Sequence, residues 1–272
     1  MATLNKITIV GGGNLGSSIA KGILSIPNFQ KNNLVICEKR KLRVKHLEEA
    51  GFHVIDTDLK AAIHGAAVVI VSVKPQQFKD VLGEIKSILA PKQILISTVT
   101  GVTLKEIELV LGKQPTVRIM PNTAIEIKES MTCICFNNTS QEQEKLILEL
   151  FENLGKTILL QEDLLDAVTV LGACGIAYAL RFIRAATQGG IEIGFSAEVS
   201  QFIVAQTVKG ASRLLLENAS HPEQEIDKVT TPQGITISGL NEMEHQGFSS
   251  SVIKGLITSY NKLAAIETNK KS

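Results

Sequence analysis

Apolar residues in the first part of the chain fall into short continuous runs, KITIV, LVIC, AVVIVSV, ILIST, TVRIM, TCICF and KTILL. A run that is apolar at nearly every position suits a strand covered on both faces, as in a parallel sheet. Between the runs the apolar positions switch to helical spacing: Leu15, Ile19 and Ile23; Phe78, Val81, Leu82 and Ile85; Leu146, Leu148, Phe151 and Leu154. Ser140 is placed to cap the third of these helices with Gln143 reaching back, and Gly155 to end it in a left-handed turn. Strands alternating with helices from Lys6 to about Leu160 predict a doubly wound α/β sheet, assigned to residues 1–160.

After Leu160 the strand-like runs stop. Helical patterns at residues 164–170, 177–187, 197–216 (behind Ser196) and 249–266 predict an all-α region over 161–272. Val252, Ile253, Leu256, Tyr260 and Leu263 keep to one stripe, whereas Phe202, Ile203 and Val208 spread apolar surface over several faces. A helical piece of about a hundred residues does not readily bury that much surface alone. Association through these helices, as a dimer or a higher oligomer, is therefore expected. The tail ETNKKS reads as a solvated, frayed end.

Composition narrows the function classes. With 44% hydrophobic residues the 272-residue chain can fill one large core or two modest ones, and 28 basic against 27 acidic residues give a net charge of +1. Nothing in that balance favours nucleic acid or a membrane surface. MATLNKITIV has no basic stretch followed by a long apolar one, and no apolar segment is read as approaching a membrane span, so a cytoplasmic protein is expected. Cys37, Cys133, Cys135 and Cys174 mostly lie in apolar text, as buried thiols in a reducing compartment do. Cys133 and Cys135 share one strand face, yet no second pair or nearby histidine completes a zinc site, and no metal is expected.

The first chemistry-bearing motif is VGGGNLGSSI, which follows a strand and opens a helix. Gly11, Gly13 and Gly16 fit G-x-G-x-x-G, where glycines permit a tight turn, close approach of a pyrophosphate and close helix packing. Asn14 and Leu15 open the helix whose free N–H groups and positive dipole end suit phosphate. At the end of the second strand, Glu38 is placed to accept from the ribose of NAD, while Lys39 and Arg40 are placed to hold the extra phosphate of NADP; the two readings compete, with the basic pair favouring NADP. Three more turns follow strands: Val73, Lys74 and Pro75; STVTGV with Thr100; and RIMPNTAI with Asn122. Lys74 suits cofactor contact or the surface better than catalysis. Asn122 suits either a nicotinamide amide or an Asx-type turn.

A second motif, IDKVTTPQGITISGL, comes late. Asp227 to Leu240 reads as a loop that starts a helix near Ile235 or Thr236, with Pro232 fixing one dihedral and Gly234 freeing another. Uncovered N–H groups there can hold a carboxylate, and Thr231 and Thr236 add hydroxyls. On its residues alone the turn reads more readily as a capped helix start than as a carboxylate cradle.

GGGNLGSSI, VKPQ, RIMPNT, the AY of GIAYALRFI, GGIEIGF, AQTVKGA and DKVTTPQGIT together resemble the pyrroline-5-carboxylate reductase family, in order and spacing along the whole chain. The resemblance implies a Rossmann-like doubly wound domain followed by an all-α dimerisation domain. It implies hydride transfer from NADPH, with NADH as the alternative, to Δ1-pyrroline-5-carboxylate, giving proline. It implies a carboxylate held by the backbone around Thr231, Gly234 and Ile235, facing a nicotinamide held by the other domain. The ring nitrogen would then be bonded by Thr236, a positioning group first and a proton relay second. The chain departs from the family at 172–178, where S-G-S-G-P-A-Y becomes GACGIAY, and at Arg184, where an acid is usual. It departs again where the second glycine of the family's P-G-G falls on Gln233 or its neighbour, and at Ala124 after MPNT. The altered 172–176 stretch keeps open a non-catalytic NAD(P)-binding regulatory protein. A hydroxy-acid dehydrogenase using Lys209 is the other alternative, although TVKGAS lacks the spaced glycine and asparagine of that family.

Overall fold

The computed structural model describes residues 6–271, with side chains as far as Ala265. Residues up to Cys174, together with those from Lys262, form one compact unit, and Gly175–Asn261 form a second. Strands β1 (Ile7–Val10), β2 (Leu34–Cys37), β3 (Val54–Ile55), β4 (Val68–Val71), β5 (Ile94–Ser97), β6 (Thr116–Met120), β7 (Ser130–Asn137) and β8 (Gly155–Leu159) make one sheet in the order β3-β2-β1-β4-β5-β6-β7-β8. Helices α1 (Asn14–Leu24), α2 (Lys41–Glu49), α3 (Leu59–Ile63), α4 (Pro75–Lys86), α5 (Leu104–Leu111) and α6 (Gln141–Glu152) alternate with the strands. This is the expected doubly wound architecture.

Alternate residues of each strand feed opposite faces of the sheet. Ile7, Ile9, Ile36, Ile70 and Ile96 pack with Ile19, Ile23, Ile147 and Phe151 on one side. Val10, Val35, Val69, Val71 and Leu95 pack with Ile63, Phe78, Leu82 and Ile107 on the other. Each such fully buried side chain contributes about 1.5–3 kcal/mol relative to exposure, which is why the runs are apolar at every position. The polar residue within β1, Thr8, is buried but donates to the Ala62 carbonyl at 2.6 Å.

Three details differ from the sequence reading. β7 runs antiparallel to β6, because only the short turn through Thr123–Ile127 joins them and a parallel return needs a longer crossover. Gly155 does not end α6, whose cap is Asn153 in a right-handed conformation. It opens β8 with φ 144°, where a side chain would strike the Ser130 carbonyl. β3 pairs through only two residues and so leaves no apolar run to read. The capping box of Ser140 and Gln143 is present as expected.

After β8, α7 (Leu165–Val168) follows a 3-10 turn, Glu162–Leu164, and leads into a π-helical stretch, Thr169–Cys174. Arg118 of β6 reaches this segment, pairing with Glu162 at 2.9 Å and Asp166 at 3.4 Å. Glu162 also accepts from the Leu104 amide at the start of α5. The guanidinium is 3% exposed and its Nε has no partner among the described residues, whereas the two carboxylates are 27% and 25% exposed.

The second unit holds α8 (Gly175–Glu192), α9 (Ala197–Asn218), α10 (Pro222–Val229), α11 (Ile235–His245) and most of α12 (Phe248–Lys271). Ser196 caps α9 through the Val199 amide, and Ser200 donates to the Thr187 carbonyl where α8 and α9 lie together. α10, with its His221–Gln224 capping box, takes Asp227 to Val229 out of what was read as loop. The tail expected to fray is helical to Lys271, but its side chains and Ser272 lie outside the described residues, as do Met1–Asn5. Within Gly175–Asn261 only Thr187 and Ser200 are buried, while Phe202, Ile193 and Leu216 stand exposed. One expectation is overturned here: the continuous helical run Glu162–Glu192 is long and apolar enough to cross a membrane by length and composition, with mean hydropathy 1.6. The sequence reading had taken 164–170 and 177–187 as separate helical patterns.

The Arg118 cluster yields an asymmetric prediction. Glu162→Ala leaves the buried Arg118 with only the longer Asp166 pair and takes the acceptor from the Leu104 amide, and should cost about 3 kcal/mol, whereas Arg118→Met leaves carboxylates that can reach water and should cost distinctly less. Denaturant unfolding at matched protein concentration checks the order, and equal losses would refute it.

Candidate functional site

In a parallel sheet the C-terminal ends of the strands share an edge, and the strand order reverses here between β1 and β4, opening a crevice. To that edge of the first unit the fold brings the loop after β1, Glu38 to Arg40 after β2, Val73 to Pro75 after β4, Thr100 after β5 and Asn122 after β6.

The glycines of the first loop answer to different contacts. Gly11 has φ 104°, and a Cβ on it would lie 2.3 Å from the Ser72 carbonyl oxygen. A Cβ on Gly16 would lie 2.0 Å from the Gly11 carbonyl oxygen, so helix and loop touch through backbone alone. At Gly13 a Cβ would meet nothing within 4 Å. Gly13 is also the N-cap of α1, which has no side-chain cap and no acid in its first turn. Open space in front of uncapped, dipole-aligned N–H groups fits a pyrophosphate.

Glu38 is buried, and its carboxylate is fully engaged. It accepts from the Gly12 amide at 3.0 Å, the Arg40 amide at 2.9 Å, and Arg40 Nε and Nη2 at 2.9 and 2.8 Å. Burial alone would raise its carboxyl, but the bonds from Arg40, the Arg40 charge and the Gly12 amide together hold it below the usual carboxylate range. Arg40 is 59% exposed, and its Nη1 makes no hydrogen bond among the described residues. Lys39 is exposed beside it. The basic run KRKLRVK holds one more side chain that the sequence reading did not single out: Arg43 bonds the loop itself, to the carbonyls of Gly12 and Gly13 and the hydroxyl of Ser17.

Lys74 is the exposed N-cap of α4 and Pro75 its first residue. Thr100 is half-buried, just past β5. Asn122 is buried and makes the Asx-type turn: its Oδ1 accepts from Ala124, and its Nδ2 donates to the Gly172 carbonyl at 3.3 Å. Cys37 and Cys135 are pushed up to about 11, chiefly by burial, and so stay protonated thiols within the core. Among the described residues no cluster of His, Cys, Asp or Glu could hold a metal ion.

The late turn lies in the second unit. Thr231 to Gly234 closes with the Gly234 amide donating to the Thr231 carbonyl at 2.9 Å, and α11 starts at Ile235 as expected. Gly234 is its N-cap, with no side-chain cap and no acid in the first turn. Ile235 is 93% exposed, and Thr231 and Thr236 are exposed too. Gln233 holds φ 60°, a left-handed conformation costing about 1 kcal/mol more for it than for glycine.

Residues 162–266 match the family model for pyrroline-5-carboxylate reductase dimerisation, and residues 6–101 match that for NADP oxidoreductase, coenzyme F420-dependent. Pyrroline-5-carboxylate reductase 2 of Dictyostelium discoideum is 41% identical over 94% of this chain and 91% of its own length. The chain belongs to the pyrroline-5-carboxylate reductase family. Pyrroline-5-carboxylate reductase 1 of the same organism is 44% identical over 98% of this chain, which spans about half (51%) of that relative's length. The crystal structure of Plasmodium falciparum pyrroline carboxylate reductase with NADP bound superposes with TM-score 0.86 at 26% identity, covering 98% of this chain and 99% of that one. As a reductase of this family, the chain is an oxidoreductase, and its residues 162–266 match a dimerisation domain.

The glycine contacts make a prediction. Gly13→Ala should leave the melting temperature within about 2 °C while raising the Kd for NADPH at least about tenfold. Gly16→Ala should destabilise the protein itself. Thermal melts and cofactor fluorescence check both, and unchanged NADPH affinity in Gly13→Ala would remove the phosphate from this loop.

Proposed function

We propose that the chain reduces Δ1-pyrroline-5-carboxylate to L-proline, with NADPH as the preferred reductant and NADH as an alternative, and acts as a homodimer or higher oligomer in the cytoplasm. The observation that carries the reading is a pair of uncapped, acid-free helix starts, α1 at Gly13 and α11 at Gly234, in a chain of this family. When bound, the reduced nicotinamide supplies the hydride that adds to the imine carbon. A proton reaches the ring nitrogen, giving the amine.

Gly11, Gly13, Asn14, Leu15 and Gly16 would hold the pyrophosphate, with Val73, Lys74, Pro75, Thr100 and Asn122 along the same edge. Asn122 would act through the turn it builds, because both ends of its side chain are already engaged. The two readings of the β2 end merge: Glu38 is saturated by protein donors and aims Arg40, whose free nitrogen and exposed fork suit the extra phosphate of NADP. Lys39 adds positive charge. The amides around Gly234 and Ile235, with the Thr231 hydroxyl, would hold the substrate carboxylate, and Thr236 would bond the ring nitrogen. A cyclic imine is basic enough to be protonated by water or a weak acid, so positioning and exclusion of water carry the rate rather than a strong general acid. Four free cysteines support the cytoplasmic assignment.

The direct test follows loss of NADPH absorbance with pyrroline-5-carboxylate supplied. Turnover is expected. Cofactor binding without turnover would instead indicate a regulatory protein, and turnover only with a hydroxy acid a dehydrogenase. Thr236→Val should lower kcat/KM for the imine about tenfold, the worth of one well-placed hydrogen bond, with NADPH affinity near wild type; equal kinetics would remove its role. Arg40→Ala should shift the NADPH/NADH ratio of catalytic efficiency about tenfold towards NADH. An unmoved ratio would take the phosphate away from Arg40.

A further inference from the structure

We infer that Arg43 is a positioning residue for the phosphate-binding loop, acting with Glu38 to hold Gly12 by the two peptide groups that flank it. The Gly12 amide donates to Glu38 Oε2 at 3.0 Å, and the Gly12 carbonyl accepts from Arg43 Nε at 2.5 Å. The same guanidinium reaches the Gly13 carbonyl at 3.4 Å and Ser17 Oγ at 2.9 Å through Nη2. Leu47, one turn further along α2, lies so close that a Cβ on Gly12 would come within 2.5 Å of its Cδ1. Glu38, just past β2, thus holds the loop by a carboxylate, and Arg43 and Leu47 of α2 hold it by a guanidinium fork and an apolar contact.

The consequence for binding is directional. Loop carbonyls that would repel an anionic phosphate are turned to a cation, and the peptide planes of Gly12 and Gly13 are held in one orientation before any ligand arrives. Preorganised donors lose less on binding than donors that must be ordered at that moment. A planar fork meets three acceptors at once, which a lysine ammonium on a flexible stem does not reproduce. Arg43 acts on a part common to NADPH and NADH, in contrast to Arg40 at the adenosine end.

The inference rests on the reading of the first unit as the cofactor-binding one. Wild-type protein that binds neither NADPH nor NADH would sink that reading. With wild-type binding established, Arg43→Ala and Arg43→Lys are compared for cofactor Kd by fluorescence and for KM of the imine. Amide hydrogen exchange across residues 11–16 is followed in the cofactor-free protein. Arg43→Ala is expected to raise the Kd for both cofactors about tenfold, with their ratio and the imine KM within about twofold of wild type and faster exchange in the loop. Arg43→Lys is expected to recover less than half of the lost affinity. Unchanged Kd values, a loss confined to NADPH, or full rescue by lysine would each overturn the proposal. So would loss of folded protein in both variants, which would assign Arg43 to the fold.

Discussion

The close approach of Gly11 to Ser72 governs the first unit. β1 lies in register between β2 and β4, with Ile7 opposite both Leu34 and Val68, so the three strands end together. The Gly11 amide bonds the Cys37 carbonyl and the Ser72 amide bonds the Val10 carbonyl, which draws the turns after the strands into contact. A side chain at Gly11 would occupy the place of the Ser72 oxygen. From that contact follow the open start of α1, the seat for Glu38 against Gly12, and the reach of Arg43 across the loop.

The second unit is governed by what it leaves uncovered. A folded piece without a buried apolar side chain has no core of its own, and its two buried residues, Thr187 and Ser200, are polar. Apolar helices in this state need another surface, and the match of residues 162–266 to a dimerisation family says which kind. The same composition explains why Glu162–Glu192 passes for a membrane span by hydropathy: the measure registers apolar length and is blind to what covers it.

Much of the fold was legible because burial on both faces leaves runs such as VVIV and LVIC without a polar break, and because capping residues such as Ser140 and Ser196 announce helix starts locally. Elements without such a signature were not. β3 owes its existence to pairing with β2 rather than to its own two residues. α10 is short and mostly polar, and the role of Gly155 depends on a carbonyl of a neighbouring strand.

The glycine loop and the late threonine turn could be read from the chain alone because both are local: a few consecutive residues carry the dihedral freedom, the uncapped amides and the hydroxyls. Arg43, Arg118 and the pairing of Glu38 with Gly12 could not, since each depends on a partner well away in the chain. A charged side chain in a helix or strand carries no local mark of whether it faces water or a backbone carbonyl. Local sequence therefore determined where the chain turns, which residues must be small and which charges stand directly beside the first turns, and tertiary packing alone decided what those charges bond and that Arg43 joins them.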